Sequence, residues 1–334
     1  MKLSILEQSP ISSGQDATDA LRRTADLARF AETLGYTRFW TAEHHSTSGL
    51  AGSSPEVLIS HLASVTETIR VGSGGVLLPQ YSPYKVTENF KVLEALFPGR
   101  IDLGVGRSPG GGQTIRMALT DGVQKSMNEF PRQLSDMQGF IDGTLPKEHD
   151  YASIKASPLT STLPKTWVLG LSSRGARHAA ANSTAFMCGH FIQPDNAEEA
   201  MDAYLNNFQP SERQPEPKAA VCVFVICADT EEEAEHLAQT QDMWLLNVEK
   251  GRTTKIPTPE EAAAVTLTTE EEKKVQENRK RAVIGTPQQV KKELRRLAEL
   301  YHTDEIMAIT NIFDEEKKKH SFRLLADAFR RDDF

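Results

Sequence analysis

The amino-acid sequence predicts an α/β fold, and specifically a closed (β/α)8 TIM barrel. Short apolar segments typical of strands alternate along the whole chain with segments of helical periodicity, and eight such units follow one another. Most strand segments are near-continuous apolar runs, such as "AAVCVFVICA" at 219–228, which is typical of a parallel sheet covered by helices. Eight units in one chain favour a closed barrel over an open doubly wound sheet.

The elements can be assigned in order along the chain. The strand segments are LSILE, TRFWTAE, IRVGSGGVLLP, RIDLGVG, TWVLGLS, TAFMCGHF, AAVCVFVICA and EIMAITNIF. The helical segments are predicted at 16–34, 55–66, 82–99, 113–140, 173–182, 196–207, 230–244 and 314–329. Gly35 follows the first helix as a residue suited to end it, and Pro83 lies in the first turn of the third.

One segment breaks the repeat, and the chain is otherwise interpreted as a single barrel domain over 1–334. Residues 245–283, between the seventh and eighth strands, are polar, charged and interrupted by proline. Within them a capping box from Thr269 to Glu272 predicts the start of a helix. The segment is either a solvated insertion or, because long loops often act as lids, a cover over the catalytic mouth.

Composition and charge exclude several classes of function. The chain of 334 residues has a formal charge of −8, which argues against general nucleic-acid or membrane-surface binding. No window approaches the roughly 18 apolar residues that span a bilayer, and the first residues do not resemble a signal peptide. A cytoplasmic location is therefore expected. The three cysteines, Cys188, Cys222 and Cys227, have no metal-ligand spacing and are expected to be buried free thiols.

Titratable residues end the second strand, where barrel enzymes collect their active sites. The motif "FWTAEHH" ends with Glu43, His44 and His45. Neighbouring residues on a strand point to opposite faces, so the two histidines are not expected to share a metal ion. Instead one imidazole is expected to face the barrel mouth, while its neighbour and Glu43 make orienting hydrogen bonds. The alternative is a structural polar cluster that caps the strand.

Glycines gather at the ends of the next two strands. The third strand contains Ser73, Gly74 and Gly75, and the fourth ends with Gly106 and Arg107. Glycine inside a strand weakens it, so a compensating reason is expected. One reason is that a flat ligand lies against the exposed backbone, and another is a β-bulge. The neighbouring Arg107 is positively charged, which favours a planar ligand that is also anionic.

The fifth strand leads into a candidate anion site. In "LGLSSRGARHAA" the strand is followed by Ser172, Ser173 and Arg174 and then by a helix. Free amide groups and the dipole at a helix N-terminus favour phosphate. Arg174 or Arg177 can add charge-assisted bonds, as can Arg107. A plain helix cap has a similar sequence. Beside the glycine-rich strands, the motif indicates a phosphorylated planar cofactor such as FMN.

Three motifs together resemble a known family. "FWTAEHH", "VGSGGVLLPQYSPYKVTENFKVLEALFPGRIDLGVGR" and "VIGTPQQVKKEL" closely resemble the bacterial luciferase-like, flavin-dependent monooxygenases, over residues 1–190 and 282–329. The resemblance implies a (β/α)8 barrel that uses reduced FMN, supplied by a separate flavin reductase. It also implies that O2 forms a flavin C4a-(hydro)peroxide that oxygenates a small organic substrate.

The resemblance also implies roles for the motif residues. His44 corresponds to the catalytic histidine, and Glu43 and His45 are grouped with it. Gly74 and Gly75 flank a non-prolyl cis peptide bond beneath the isoalloxazine ring, next to Ser73. Arg107 corresponds to the arginine that binds the flavin phosphate, together with the loop of Ser172, Ser173 and Arg174. Gly106 stands where the light-emitting enzymes carry a reactive cysteine, so light emission and long-chain aldehyde substrates are not expected.

Two other functions and an assembly remain open. The same barrel superfamily includes F420-dependent hydride-transfer oxidoreductases, and a non-catalytic flavin-binding protein belongs to a different class. The family suggests a homodimer formed through helices near the second and third strands, where "PEVLISHLASV" offers apolar residues. His61 in that segment is expected to be an interface or core residue.

Overall fold

A computed structural model describes residues 1–330, so 331–334 of the predicted domain lie outside it. The strands are β1 Lys2–Glu7, β2 Arg38–Thr41, β3 Arg70–Ser73, β4 Val76–Leu77, β5 Ile101–Gly106, β6 Lys165–Gly170, β7 Ala185–Gly189, β8 Ala219–Cys227, β9 Ala282–Gly285 and β10 Glu305–Ile309. The helices are α1 Ala17–Thr33, α2 Pro55–Ser64, α3 Pro83–Leu96, α4 Gln113–Leu119, α5 Phe130–Asp142, α6 Ser173–Ala181, α7 Ala197–Asn207, α8 Glu231–Glu249, α9 Pro259–Ala263, α10 Thr269–Arg279, α11 Pro287–Leu300 and α12 Glu315–Arg330.

The predicted (β/α)8 barrel is confirmed. Eight strands, β1, β2, β3, β5, β6, β7, β8 and β10, form a closed ring in which β10 pairs with both β1 and β8. Every one of these pairings is parallel. The short β4 continues beyond β3 and pairs with β5, and β9 pairs with the second half of β8. The helices cover the outside, as a parallel sheet requires.

Local sequence explains where the first helices begin and end. Asp16 caps α1 in a reciprocal capping box with Asp19, and Gly35 follows the helix with φ of +76°, a left-handed conformation that glycine adopts without strain. Ser82 caps α3, and Pro83 occupies its first turn. These boundaries agree with the sequence-based prediction.

Several elements differ from the prediction, among them the helix α11 at Pro287–Leu300, which was not predicted. The region 113–140 forms two helices, because Asp121 and Gly122 both take left-handed conformations between them. The capping box of α10 is formed by Thr268 and Glu271, one residue earlier than predicted. The strand β9 was not predicted, since four residues after a polar helix carry too little periodicity to be recognised.

The insertion 245–283 is only partly solvated. In its first third, Leu245 and Ile256 are buried in the apolar cluster that fills the barrel interior. Trp244, the last residue of the helix predicted before the insertion, belongs to the same cluster. Ile256 also forms a parallel bridge with Ser12, in the loop after β1. The side-chain oxygens of Thr254 and Thr47 lie 2.6 Å apart, which joins the insertion to the loop that carries the histidine pair.

A buried cluster of charges fills the N-terminal end of the barrel. Nη1 of Arg38 lies 2.5 Å from Oδ2 of Asp102, and its Nε donates to Glu305. All three side chains are essentially inaccessible to solvent. Because this end is closed by ion pairs, the space for a ligand lies at the opposite, C-terminal end of the strands.

Candidate active site

A cavity of about 550 Å³ lies at the C-terminal ends of the strands. Its volume is within the range of sites that hold small molecules and cofactors. Most of the wall is apolar, with contributions from Leu6, Trp40, Phe130, Val168, Leu169, Met187, Phe191, Cys222 and Met307. The polar residues enter from the loops after β1, β2, β5 and β6.

His44 faces this cavity from the end of β2. Its backbone N–H donates to the carbonyl of Gly52 at 2.8 Å, which fixes the chain at this point. Its ring nitrogen Nε2 lies 3.4 Å from Nε2 of Gln8, which also lines the cavity. Burial, followed by the nearby ring of His45, lowers the pKa of His44 from 6.5 to about 4. The ring is therefore neutral at neutral pH.

Glu43 and His45 are hydrogen-bonded to each other. Oε1 of Glu43 accepts from Nε2 of His45 at 2.7 Å and from the hydroxyl of Tyr81 at 2.5 Å. Oε2 accepts from the backbone N–H of Leu77 at 2.9 Å. Glu43 touches the cavity wall, but within residues 1–330 His45 does not line it. The arrangement matches the expected pair of orienting hydrogen bonds.

The floor of the cavity contains an unusual peptide bond. The bond between Gly74 and Gly75 is cis, the geometry that the resemblance implies, and both residues line the cavity. A Cβ atom at Gly74 would lie 2.5 Å from Leu6, and one at Gly75 would lie 2.7 Å from the carbonyl oxygen of Gly104. The backbone of Gly104 therefore requires glycine at position 75, whereas a side chain at position 74 would displace the end of the Leu6 side chain.

Ser73 and Gly106 have different surroundings. The hydroxyl of Ser73 donates to the carbonyl of Gly104 and accepts from its N–H, and within residues 1–330 Ser73 does not line the cavity. The Ser73 hydroxyl therefore links β3 to β5. Gly106 does line the cavity, and a Cβ there would meet only the backbone nitrogen of Ser108, at 3.9 Å. At Gly106 the missing side chain leaves open space for a ligand.

Cationic groups converge at the other end of the cavity. Ser172 caps α6, and its neighbour Arg174 lines the cavity together with Arg107 and His178. Burial, followed by the charges of Arg174 and Arg107, lowers the pKa of His178, so both guanidinium groups lie close to that ring. Within residues 1–330 neither arginine has an ion-pair partner. Ser173, the first residue of α6, does not line the cavity in this part of the chain.

These features fit a flavin mononucleotide. Two guanidinium groups without an ion-pair partner in residues 1–330, beside a helix N-terminus, match a phosphate group. The apolar walls and the open face at Gly106 match a planar ring system. Arg107, Arg174 and Ser172 would hold the phosphate, and the peptide of Gly74 and Gly75 would support the ring.

Sequence reasoning missed three polar residues of the site. Gln8 follows β1 and contacts His44, Tyr81 donates to Glu43, and His178 lies beside the two arginines. His178 is one helical turn after Arg174, so the helical spacing of "SRGARHAA" was a usable signal. No local pattern identifies Gln8 or Tyr81, because their contacts join segments about 36 and 38 residues apart.

Comparisons with known proteins show which family the chain belongs to. A family model described as luciferase-like monooxygenase matches residues 1–304. An uncharacterised protein of Bacillus subtilis, YceB, is 53% identical over 98% of this chain and 99% of its own. An N-acetyl-S-alkylcysteine monooxygenase of the same organism is 37% identical over 98% of both chains. The crystal structure of apo-MsnO8 superposes with a TM-score of 0.90 at 35% identity, covering 98% of each chain.

More distant structures share the fold alone. The oxygenating constituent of a Pseudomonas putida 3,6-diketocamphane monooxygenase, solved with FMN, has a TM-score of 0.72 at 18% identity, over 98% of this chain and 97% of its own. An F420-dependent secondary alcohol dehydrogenase has a TM-score of 0.67 at 14% identity, over 98% of each chain. Among the helices of residues 1–330, none is long and apolar enough to cross a membrane.

Proposed function

The chain belongs to the luciferase-like monooxygenase family, and we propose that it is a monooxygenase that uses reduced FMN and O2 to oxygenate a small organic substrate. The observation that carries the proposal is a single cavity with neutral His44 at one side and, at the far end, two arginines that have no ion-pair partner among the described residues. Because His44 and the two arginines line one cavity, a single bound flavin can contact both the proton-transfer group and the phosphate site.

The chain contributes binding, orientation and proton transfer. Arg107 and Arg174 bind the phosphate, and the helix N-terminus after Ser172 adds its dipole. When bound, reduced FMN supplies the electrons that activate O2 for transfer of one oxygen atom to the substrate. Neutral His44 accepts or donates a proton at a ring nitrogen, and the apolar walls exclude water from this step.

The charge of the anion site suits the phosphate of FMN. A phosphate monoester carries about two negative charges at neutral pH, which the two guanidinium groups of Arg107 and Arg174 balance. Binding of F420 with higher affinity than reduced FMN would favour the hydride-transfer alternative.

The proposed reaction is tested by following oxygen into the product. The protein is supplied with FMN, NADH, a flavin reductase and 18O2, with a panel of substrates that includes N-acetyl-S-alkylcysteines, the class named for a relative. We expect one atom of 18O in the product of one panel member, and about a hundredfold or greater loss in the His44→Gln variant. No labelled product with any panel member, and no stimulation of O2 consumption, would support a non-catalytic flavin-binding protein.

We also propose that the chain forms a homodimer through α2 and α3. Val57 is 69% exposed on α2, and Val92 and Leu96 are 47% and 60% exposed on α3. The two helices contact each other, so these exposed residues lie on neighbouring elements of the outer surface. A second copy of the chain is the occupant that the family suggests.

A further inference from the structure

The backbone around Gln8 is anchored on both sides. Oε1 of Glu7 accepts from the N–H of Ser9 at 3.0 Å, and Oε2 accepts from Nζ of Lys318 at 2.6 Å. The hydroxyl of Ser9 accepts from that of Thr24 at 2.9 Å. Because its two neighbours are held in this way, Gln8 presents its side chain to the cavity from a fixed position.

The amide of Gln8 has one available partner. The side chain is 7% exposed, its Nε2 lies 3.4 Å from Nε2 of His44, and its Oε1 is buried without a partner in residues 1–330. The NH2 group can only donate, so His44 Nε2 accepts. Within residues 1–330 this orientation leaves one N–H and the carbonyl without a partner, whereas the reversed amide would leave both N–H groups without one, and buried N–H groups without partners are the rarer case.

We propose that Gln8 is a positioning residue that sets the tautomer of His44, so that the neutral ring carries its proton on Nδ1 and acts on ligands through that nitrogen. The inference rests on the proposed function, in which His44 transfers a proton. Within residues 1–330, every hydrogen bond of the ring is made by Nε2, which leaves Nδ1 available to a ligand.

Among the described residues, no carboxylate forms a hydrogen bond with the ring of His44. The titratable group that acts electrostatically on His44 within residues 1–330 is the ring of His45. The carboxylate of Glu43 is occupied by its three donors, and that of Glu7 is occupied by Ser9 and Lys318. The neutral amide of Gln8 therefore orients the imidazole without favouring its protonated form, as a carboxylate in the same place would.

The proposal is tested by 15N NMR of the histidine rings in the ligand-free protein, with His44 assigned from the spectrum of His44→Gln. We expect the wild-type ring to be protonated on Nδ1 when neutral. In Gln8→Met, which keeps the length of the side chain but cannot donate, the neutral ring shifts towards the Nε2–H form. In Gln8→Glu, the pKa of His44 rises by about one unit or more. An Nε2–H ring in the wild type, or an unchanged tautomer in Gln8→Met, overturns the proposal.

A second buried glutamine provides the matched control. Gln241 is 1% exposed and also has an amide oxygen without a partner, but it lies on α8 and within residues 1–330 does not line the cavity. Gln241→Met should leave the His44 signals unchanged. In turnover, Gln8→Met should lose about tenfold to a hundredfold in kcat with little change in KM. Because the NMR result needs no turnover, it stands or fails separately from the proposed reaction.

Discussion

Nε2 of His45 lies 2.7 Å from Oε1 of Glu43, and this bond separates the roles of two adjacent histidines. Glu43 and His45 are hydrogen-bonded to each other, while His44 faces the cavity. The same carboxylate holds the N–H of Leu77, just beyond the Gly74–Gly75 peptide. Glu43 therefore connects the end of β2 to the cavity floor, and we expect it to position these groups rather than to transfer protons.

Removing the hydroxyl that binds Glu43 should affect stability and positioning together. Tyr81→Phe leaves one oxygen of a buried carboxylate with fewer donors, so we expect a loss of about 1–3 kcal/mol in the free energy of unfolding. We also expect a moderate fall in kcat, with FMN affinity nearly unchanged. Urea denaturation and steady-state kinetics measure these effects. A variant as stable as the wild type would show that the Tyr81–Glu43 bond contributes little.

The stability of the protein should depend on pH through His44. Its pKa in the folded state is about 4, below the ordinary value of 6.5, so protons bind the unfolded chain more readily. Stability is then lost as pH falls below about 6.5, and this loss amounts to about 1–2 kcal/mol between pH 7 and pH 5. Denaturant titrations at the two pH values measure this loss. Between pH 7 and pH 5, the free energy of unfolding of His44→Gln should fall by about 1–2 kcal/mol less than that of the wild type. Parallel losses in both proteins would contradict the lowered pKa.

Two glycines at the cavity should respond differently to added side chains. Gly75→Ala places a Cβ 2.7 Å from the backbone oxygen of Gly104, which cannot move aside cheaply. We expect about 1–3 kcal/mol of destabilisation. Gly106→Val extends into open space, so it should fold with nearly normal stability but weaken FMN binding. Thermal unfolding and flavin titration separate the two. Equal melting temperatures for both variants would contradict the packing argument.

The apolar surface of α2 and α3 should control the state of assembly. Val57→Glu and Leu96→Glu place charges on the two most exposed apolar positions of these helices, and each should shift the proposed dimer towards monomer. Light scattering after size-exclusion chromatography measures the mass directly. Val265→Glu, at another exposed position outside this surface, is the control and should have no effect. A monomeric wild type would rule out the proposed homodimer.

The fold was largely predictable because its signals are local. The cap at Asp16, the stop at Gly35 and the apolar run of β8 each depend on neighbouring residues. The ends of the parallel strands then placed His44 and Arg107 at one edge, because strands of a barrel end together. Contacts between distant segments were not predictable in the same way.

The missed residues show this difference. Gln8 meets His44 only when β1 and β2 pair, and Tyr81 reaches Glu43 only when the chain turns beyond β4. Ser73 was grouped with the cofactor residues from its place beside two glycines, but its hydroxyl binds the backbone of Gly104. A strand end shows where a residue lies, and its side-chain partners depend on the neighbouring strand.

The most direct test of the central claim compares FMN with riboflavin, which lacks the phosphate. Dissociation constants for both reduced flavins are measured anaerobically in the wild type, Arg174→Gln and Arg107→Gln, with Arg177→Gln as control. Arg177 lies on the same helix but within residues 1–330 does not line the cavity. Charged hydrogen bonds contribute about 1.5–3 kcal/mol each, so we predict that the wild type prefers FMN by about a hundredfold or more. Each cavity variant should lose about tenfold or more of that preference, while Arg177→Gln keeps it. Equal affinity for FMN and riboflavin in the wild type would contradict the account.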